Sequence, residues 1–202
     1  MTLNEIVYNI KNLAEGGYGT DDNKISIRQI KAWVHYHRIS LLESYSDNGR
    51  NIPPGSTQEL GNFSVPEEDV ALSIPKVASF GGSRAITSIT SVDGNILFAR
   101  TSRDKISVQE QSRFTSSMPK FYIENGNSLY FHGSAGGELV KIIGVLENPT
   151  EASNWNGDDD TYPIPLQLIN PLIRSVAEAE IQLTLQSPGD LINNEVEADR
   201  ES

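Results

Sequence analysis

The stretch "ISIRQIKAWVHYHRISLL", residues 25–42, decides how this chain is built. At about 100° per residue, Ile27, Ile30, Val34, His37 and Leu41 fall in one narrow arc of a helix. Arg28, Lys31, His35 and Arg38 form an adjoining basic stripe, and Trp33 and Tyr36 widen the apolar surface. Ser26 and Gln29 supply a capping box at its start. A helix apolar over so wide an arc is expected to be covered on more than one side, by the first and last helices, with a neighbouring subunit as a further candidate. The two histidines do not make a metal site. They lie two apart, about 200° around a helix, whereas a zinc pair on one helix needs i and i+4. The basic stripe reads first as a set of ion-pair partners for carboxylates, within the chain or across an interface. Partner docking and phosphate contact are the alternatives.

Before this helix, Thr2 and Glu5 form a capping box, with Leu3, Ile6, Val7, Ile10 and Leu13 on one face and Gly16-Gly17 as the stop. The opening of the chain is therefore a helical hairpin. After it, residues 46–68 are rich in turn formers, including Pro53-Pro54, and read as a long loop. The texture then becomes β. Asp93-Gly94 and Asn125-Gly126 each separate short β-rich runs, the second between Phe121-Tyr122-Ile123 and Leu129-Tyr130-Phe131, so two hairpins are predicted. Residues 138–146, "ELVKIIGVL", read as a well-buried strand. A second helical region runs from about Pro165 to Gln186, with Leu168, Ile169, Leu172, Val176 and Leu183 near one stripe and Pro171 kinking it or opening its main part. Pro188-Gly189 end it, and the rest is polar and acidic.

The expected fold is α+β: a helical body made by the N- and C-terminal helices, an inserted antiparallel β-rich module, and an extended acidic tail. Its segments are 1–68 (helical hairpin and loop), 69–150 (β-module), 151–187 (C-terminal helix) and 188–202 (tail). The chain has 202 residues and a formal net charge of -11. That balance disfavours a DNA-gripping surface, which works by neutralising phosphates, and suits a conduit through which DNA slides. No cysteine is present, which removes disulfides, thiolate metal sites and a cysteine nucleophile together. Apolar runs are too short for a membrane span, and the first residues lack the pattern of a secretory signal, so synthesis in the cytoplasm is expected.

Catalytic patterns do not appear. "GSAGG", Gly133–Gly137, lacks the Gly-Lys-Ser/Thr ending of a phosphate loop and reads as a turn. Asp158, Asp159 and Asp160 lack the alternating spacing and distal Glu of a calcium loop and read as a solvated acidic loop, with a bound cation as the alternative. No nucleophile elbow exists, three histidines are available as bases, and nothing singles out a pair among 27 acids. The expectation is no enzyme, no cofactor and no metal. A small hydrolase with an unrecognised carboxylate pair is the reading this displaces.

The N-terminal "ISIRQIKAWVHYHRISLL" after a short helix and a "TDD" turn, the aromatic hairpin "KFYIENGNSLYFHG", and the late "YPIPLQLINPLIRSVAEAEIQLTLQSPGDLINNE" resemble head-to-tail connector proteins of tailed bacteriophages, the ring or adaptor proteins of crAss-like podoviruses. The likeness covers most of the chain in order. It implies a structural virion protein in the portal-tail region, twelve copies closing a ring around the DNA channel, with portal or neighbouring ring proteins as partners. DNA would pass without specific binding, and no membrane is involved. It also implies a helical body docked beneath the portal or a preceding ring, and a C-terminal arm reaching a neighbour. Carried over, Arg28, Lys31, His35 and Arg38 become candidate subunit contacts, and Asp190, Leu191, Ile192, Glu195, Glu197, Asp199 and Glu201 a candidate docking tail. The alternative is a peripheral virion binding module, fibre-associated or decoration-like, that recognises protein or glycan through exposed Tyr122, Tyr130 and Trp155.

Overall fold

The computed structural model describes residues 1–14, 25–47, 51–67, 70–80, 85–106, 108, 111, 118–124, 127–133 and 136–181. Helix α1 (Leu3–Ala14) starts on a capping box: Thr2 N–H donates to Glu5 Oε2 at 2.8 Å and Glu5 N–H to Thr2 Oγ1 at 3.1 Å. Leu3, Ile6, Val7 and Ile10 are buried, whereas Leu13, expected on the same face, is exposed near the helix end. Helix α2 (Ile27–Asp47) begins with Gln29 N–H donating to Ser26 Oγ. Ile30, Val34 and His37 are buried and Leu41 is half-buried, but Ile27, the first residue of the helix, is exposed. The C-terminal helix α3 (Leu166–Val176) carries Pro171 within it and turns into a π-helical segment at Ala177–Ile181. Gly16, Gly17, Leu183 and the residues from Gln186 onward lie outside the described residues.

The three helices share one core of Leu3, Ile6, Ile10, Ile30, Val34, Ile169, Leu172 and Val176, so the terminal segments do form a helical body. The chain start is also pinned to the segment before α3. Asn4 N–H donates to the Asp158 carbonyl, Tyr162 N–H to the Met1 carbonyl, and Thr2 bridges Thr161.

Two sheets follow. Strands β1 (Gln58–Ser64), β3 (Ile86–Ser91) and β7 (Leu139–Gly144) form an antiparallel sheet in the order β1-β7-β3. Strands β2 (Leu72–Ser73), β4 (Ala99–Arg100), β5 (Lys120–Glu124) and β6 (Ser128–His132) form a second in the order β2-β6-β5-β4. All pairs are antiparallel except β4 with β5.

The central strand β7 is the predicted apolar run, and it alternates. Val140 and Ile142 are fully buried while Lys141 and Ile143 are half-buried, the pattern of a strand covered on one face. The β5–β6 hairpin is the predicted one, with Glu124 opposite Ser128; Asn125-Gly126 lie outside the described residues. The Asp93-Gly94 turn closes only an isolated bridge between Thr90 and Leu97, after which the chain crosses to the second sheet as β4.

Strand β1 is a correction to the long loop expected over 46–68. "QELGNFS" shows weak alternation because a bulge between Glu59 and Gly61 breaks the register, with Gly61 at φ 138°. The β-module shares its core with the helical body. Its core gathers Leu60, Ile89, Phe98, Phe121, Leu129, Val140, Ile142 and Leu146, and it includes Leu42 from α2. Trp155 and Leu168 pack against both cores.

Candidate interaction site

The basic stripe of α2 is where the sequence places the candidate contacts, and the structure divides it. Arg38 is fully buried. Its Nε donates to the Pro163 carbonyl at 2.8 Å, Nη1 to the Leu146 carbonyl at 2.9 Å and Nη2 to the Ser56 carbonyl at 3.1 Å. The guanidinium also lies over the Tyr162 ring, 5.8 Å from its centroid. A planar fork of donors can serve three carbonyls from three segments at once; a lysine could not. One side chain therefore ties α2 to the end of β7, to the segment before β1 and to the segment before α3. Burial pulls its pKa down, partly offset by Tyr162.

His35 stacks on Tyr162, ring centroids 5.8 Å apart, and its Nδ1 is hydrogen-bonded to the Tyr162 hydroxyl at 2.9 Å. Its pKa is pulled down to about 4, first by burial, then by the Arg38 charge, against an opposing pull from Asp158. Burial likewise pushes the Tyr162 hydroxyl far above its usual range, so this pair is neutral beside a charged Arg38. Lys31 donates to Asp158. Arg28 alone of the four is exposed.

Three of the four thus have partners within the chain. Lys31 finds the carboxylate expected of it, whereas Arg38 goes to carbonyls. The signal for this lay in "TYPIP", residues 161–165, where prolines remove N–H donors and leave the Pro163 carbonyl in need of an outside donor. The acidic loop is organised the same way. Asp158 takes Lys31, Asp159 accepts from Asn4 Nδ2 at 2.8 Å, and Asp160 accepts from the Asn156 N–H.

His37 faces the other side of α2. Its Nδ1 is hydrogen-bonded to Ser175 Oγ at 2.7 Å and its Nε2 lies 3.1 Å from Glu180 Oε1. The atoms follow the order of a Ser–His–acid relay, but Ser175 sits in the last turn of α3, where the Ala177 N–H is committed to the carbonyls of Ile173 and Arg174. The two contacts tie α2 to α3 and to the π-helical segment that follows it.

Of the aromatic residues considered as ligand contacts, Tyr122 is buried, Tyr130 half-buried and stacked on it with centroids 4.9 Å apart, and Trp155 half-buried between the two cores. The tail from Asp190 to Glu201 lies outside the described residues. Among the described residues, no group of three His, Asp or Glu side chains is placed to hold a metal ion, and no helix is long and apolar enough to cross a membrane.

A comparison with curated proteins finds no match. A family model described as phage tail ring protein 2 matches residues 5–199, nearly the whole chain and both its helical and β parts. The connector-type resemblance carried by residues 25–42, the aromatic hairpin and the late helix thereby resolves to a ring family of crAss-like phages, and the chain belongs to the phage tail ring protein 2 family.

Proposed function

We propose that this structural ring protein of the phage tail works as one layer of the head-to-tail connector, a portal adaptor or tail-tube ring through which the genome passes. The observation that carries this reading is the family match over residues 5–199. Physical chemistry supports the conduit role. A net charge of -11 repels phosphate, so DNA slides past the wall without being held. Ring closure needs head-to-tail contact between two different surfaces of each copy. The outer face of α2, with exposed Arg28 and Tyr36, offers one such surface. Arg28, with the half-buried Lys31 and His35 beside it, is the part of the basic stripe a neighbour can reach. Activity is structural in this reading, and no chemical step is assigned.

Electron microscopy of the purified protein mixed with the portal ring of its own virus tests this directly. The expected result is an added layer of density following the portal's symmetry, with twelve copies. A bare portal would overturn the adaptor position and leave a ring that assembles lower in the tail.

A further inference from the structure

One side of the second sheet opens on a groove of about 570 Å3, lined among others by Phe80, Arg100, Arg103, Tyr122, Glu124 and Glu147. Its charges are not all neutralised locally. Arg103 pairs with Glu124 at 3.2 Å and Lys76 with Glu147 at 3.0 Å, so both carboxylates already have a cation. Arg100 is half-buried and has no hydrogen-bond or ion-pair partner among the described residues. A partly desolvated guanidinium without an anion is costly, and the favourable remedy is a carboxylate in bidentate contact.

The backbone beside it is also available. β4 is the edge of its sheet, and among the described residues no strand lies beyond it. The Ala99 and Thr101 N–H groups donate to the carbonyls of Pro119 and Phe121 at 2.8 and 2.9 Å, which turns the N–H and carbonyl of Arg100 toward the open side. An extended segment laid in the groove could add to this edge while presenting a carboxylate to Arg100.

We propose that this groove receives the acidic C-terminal segment of a neighbouring copy, residues 190–201, with a carboxylate on Arg100. Asp190, Glu195, Glu197, Asp199 and Glu201 supply the anions, and Leu191, Ile192 and Val196 suit the apolar lining. Within the basic stripe of α2, Arg38 and Lys31 are engaged internally, with three carbonyls and with Asp158, while Arg28 lies exposed. An extended chain advances about 3.3 Å per residue, so a link of nine residues such as 182–190 has a maximum span of about 30 Å. A segment from one copy in a groove of the next is a head-to-tail contact of the kind that closes rings, and in that respect the proposal rests on the ring reading.

The test uses the full chain with its own segment neutralised (Asp190→Asn, Glu195→Gln, Glu197→Gln, Asp199→Asn, Glu201→Gln), so that it does not compete. A fluorescent peptide of residues 188–202 is titrated in at low ionic strength and followed by anisotropy. Saturable binding is expected, weakening about tenfold or more with Arg100→Gln and partly retained with Arg100→Lys. Melting curves establish that both variants are folded, and the charge-neutral peptide should not bind.

Equal binding to a folded Arg100→Gln chain overturns the proposal, as does no binding at all. Arg100-dependent capture of an oligonucleotide but not of the peptide overturns it in favour of phosphate. Rings seen by microscopy without peptide capture overturn the docking alone. Peptide capture without rings supports the groove and overturns the ring.

Discussion

Replacing Arg38 with methionine keeps most of the side-chain volume but leaves the carbonyls of Pro163, Leu146 and Ser56 without their donor. Each buried polar group left unpaired costs about 1–3 kcal/mol, so Arg38→Met should lower stability by about 3 kcal/mol or more in urea unfolding. Arg38→Lys should also lose stability, because one ammonium cannot span three segments. His35 has the opposite kind of consequence, one that depends on pH. Its folded pKa of about 4 lies below the ordinary 6.5, so the unfolded chain binds the extra proton more readily. Stability from this site is complete above about pH 6.5 and is lost as pH falls toward 4. His35→Gln removes the titration. The stability difference between the wild type and this variant should therefore shift by on the order of 2 kcal/mol against the wild type between pH 7 and pH 4. A difference independent of pH would mean the imidazole is not neutral in the fold.

Among the elements, β7 carries the module. It lies between β1 and β3, and at its end Gly144 meets the backbone of the segment entering β3. A Cβ there would sit 2.7 Å from the Ala85 carbonyl oxygen and 3.3 Å from Ile86 Cα, contacts that only a backbone shift could relieve. Gly144→Ala should cost about 1–3 kcal/mol, read as a fall in melting temperature of roughly 5 °C. β1 and β7 show why elements differ in legibility. β7 announces itself by its Val/Ile content, whereas β1 contains a glycine at a bulge and few β-branched residues, and it is a strand because β7 supplies its hydrogen bonds. The helices follow the same rule. Ile30, Val34, Ile169 and Leu172 are buried as their spacing predicts, while Leu13 and Ile27 have the right spacing but lie near helix ends.

For the whole molecule, the question is which surface a neighbour meets. Arg28 is exposed and has no described role in holding the fold, so Arg28→Glu should leave the melting temperature nearly unchanged while reducing ring formation on the portal, measured by microscopy. Raising salt should weaken the same contact in the wild type. Rings unaffected by Arg28→Glu would remove this residue from the interface. Lys31 is a poorer probe because its reversal also breaks the contact with Asp158 that holds the acidic loop.

The amino-acid sequence by itself determined the helices at both ends, the aromatic hairpin and the central strand. These are set by spacing, capping and turn chemistry within a few residues of one another. It also carried the family likeness that the match over residues 5–199 establishes. Only the tertiary structure decided what Arg28, Lys31, His35 and Arg38 do. One periodic stripe became an exposed cation, an ion pair, a neutral stacked imidazole and a buried clamp. Their fates depend on Asp158, Tyr162, Pro163, Leu146 and Ser56, and a basic side chain's local sequence does not specify which distant carbonyl or carboxylate will need its donors. The same reason hid the Arg100 groove: Glu124 and Glu147, the carboxylates that line it, are each paired with another cation, Arg103 and Lys76.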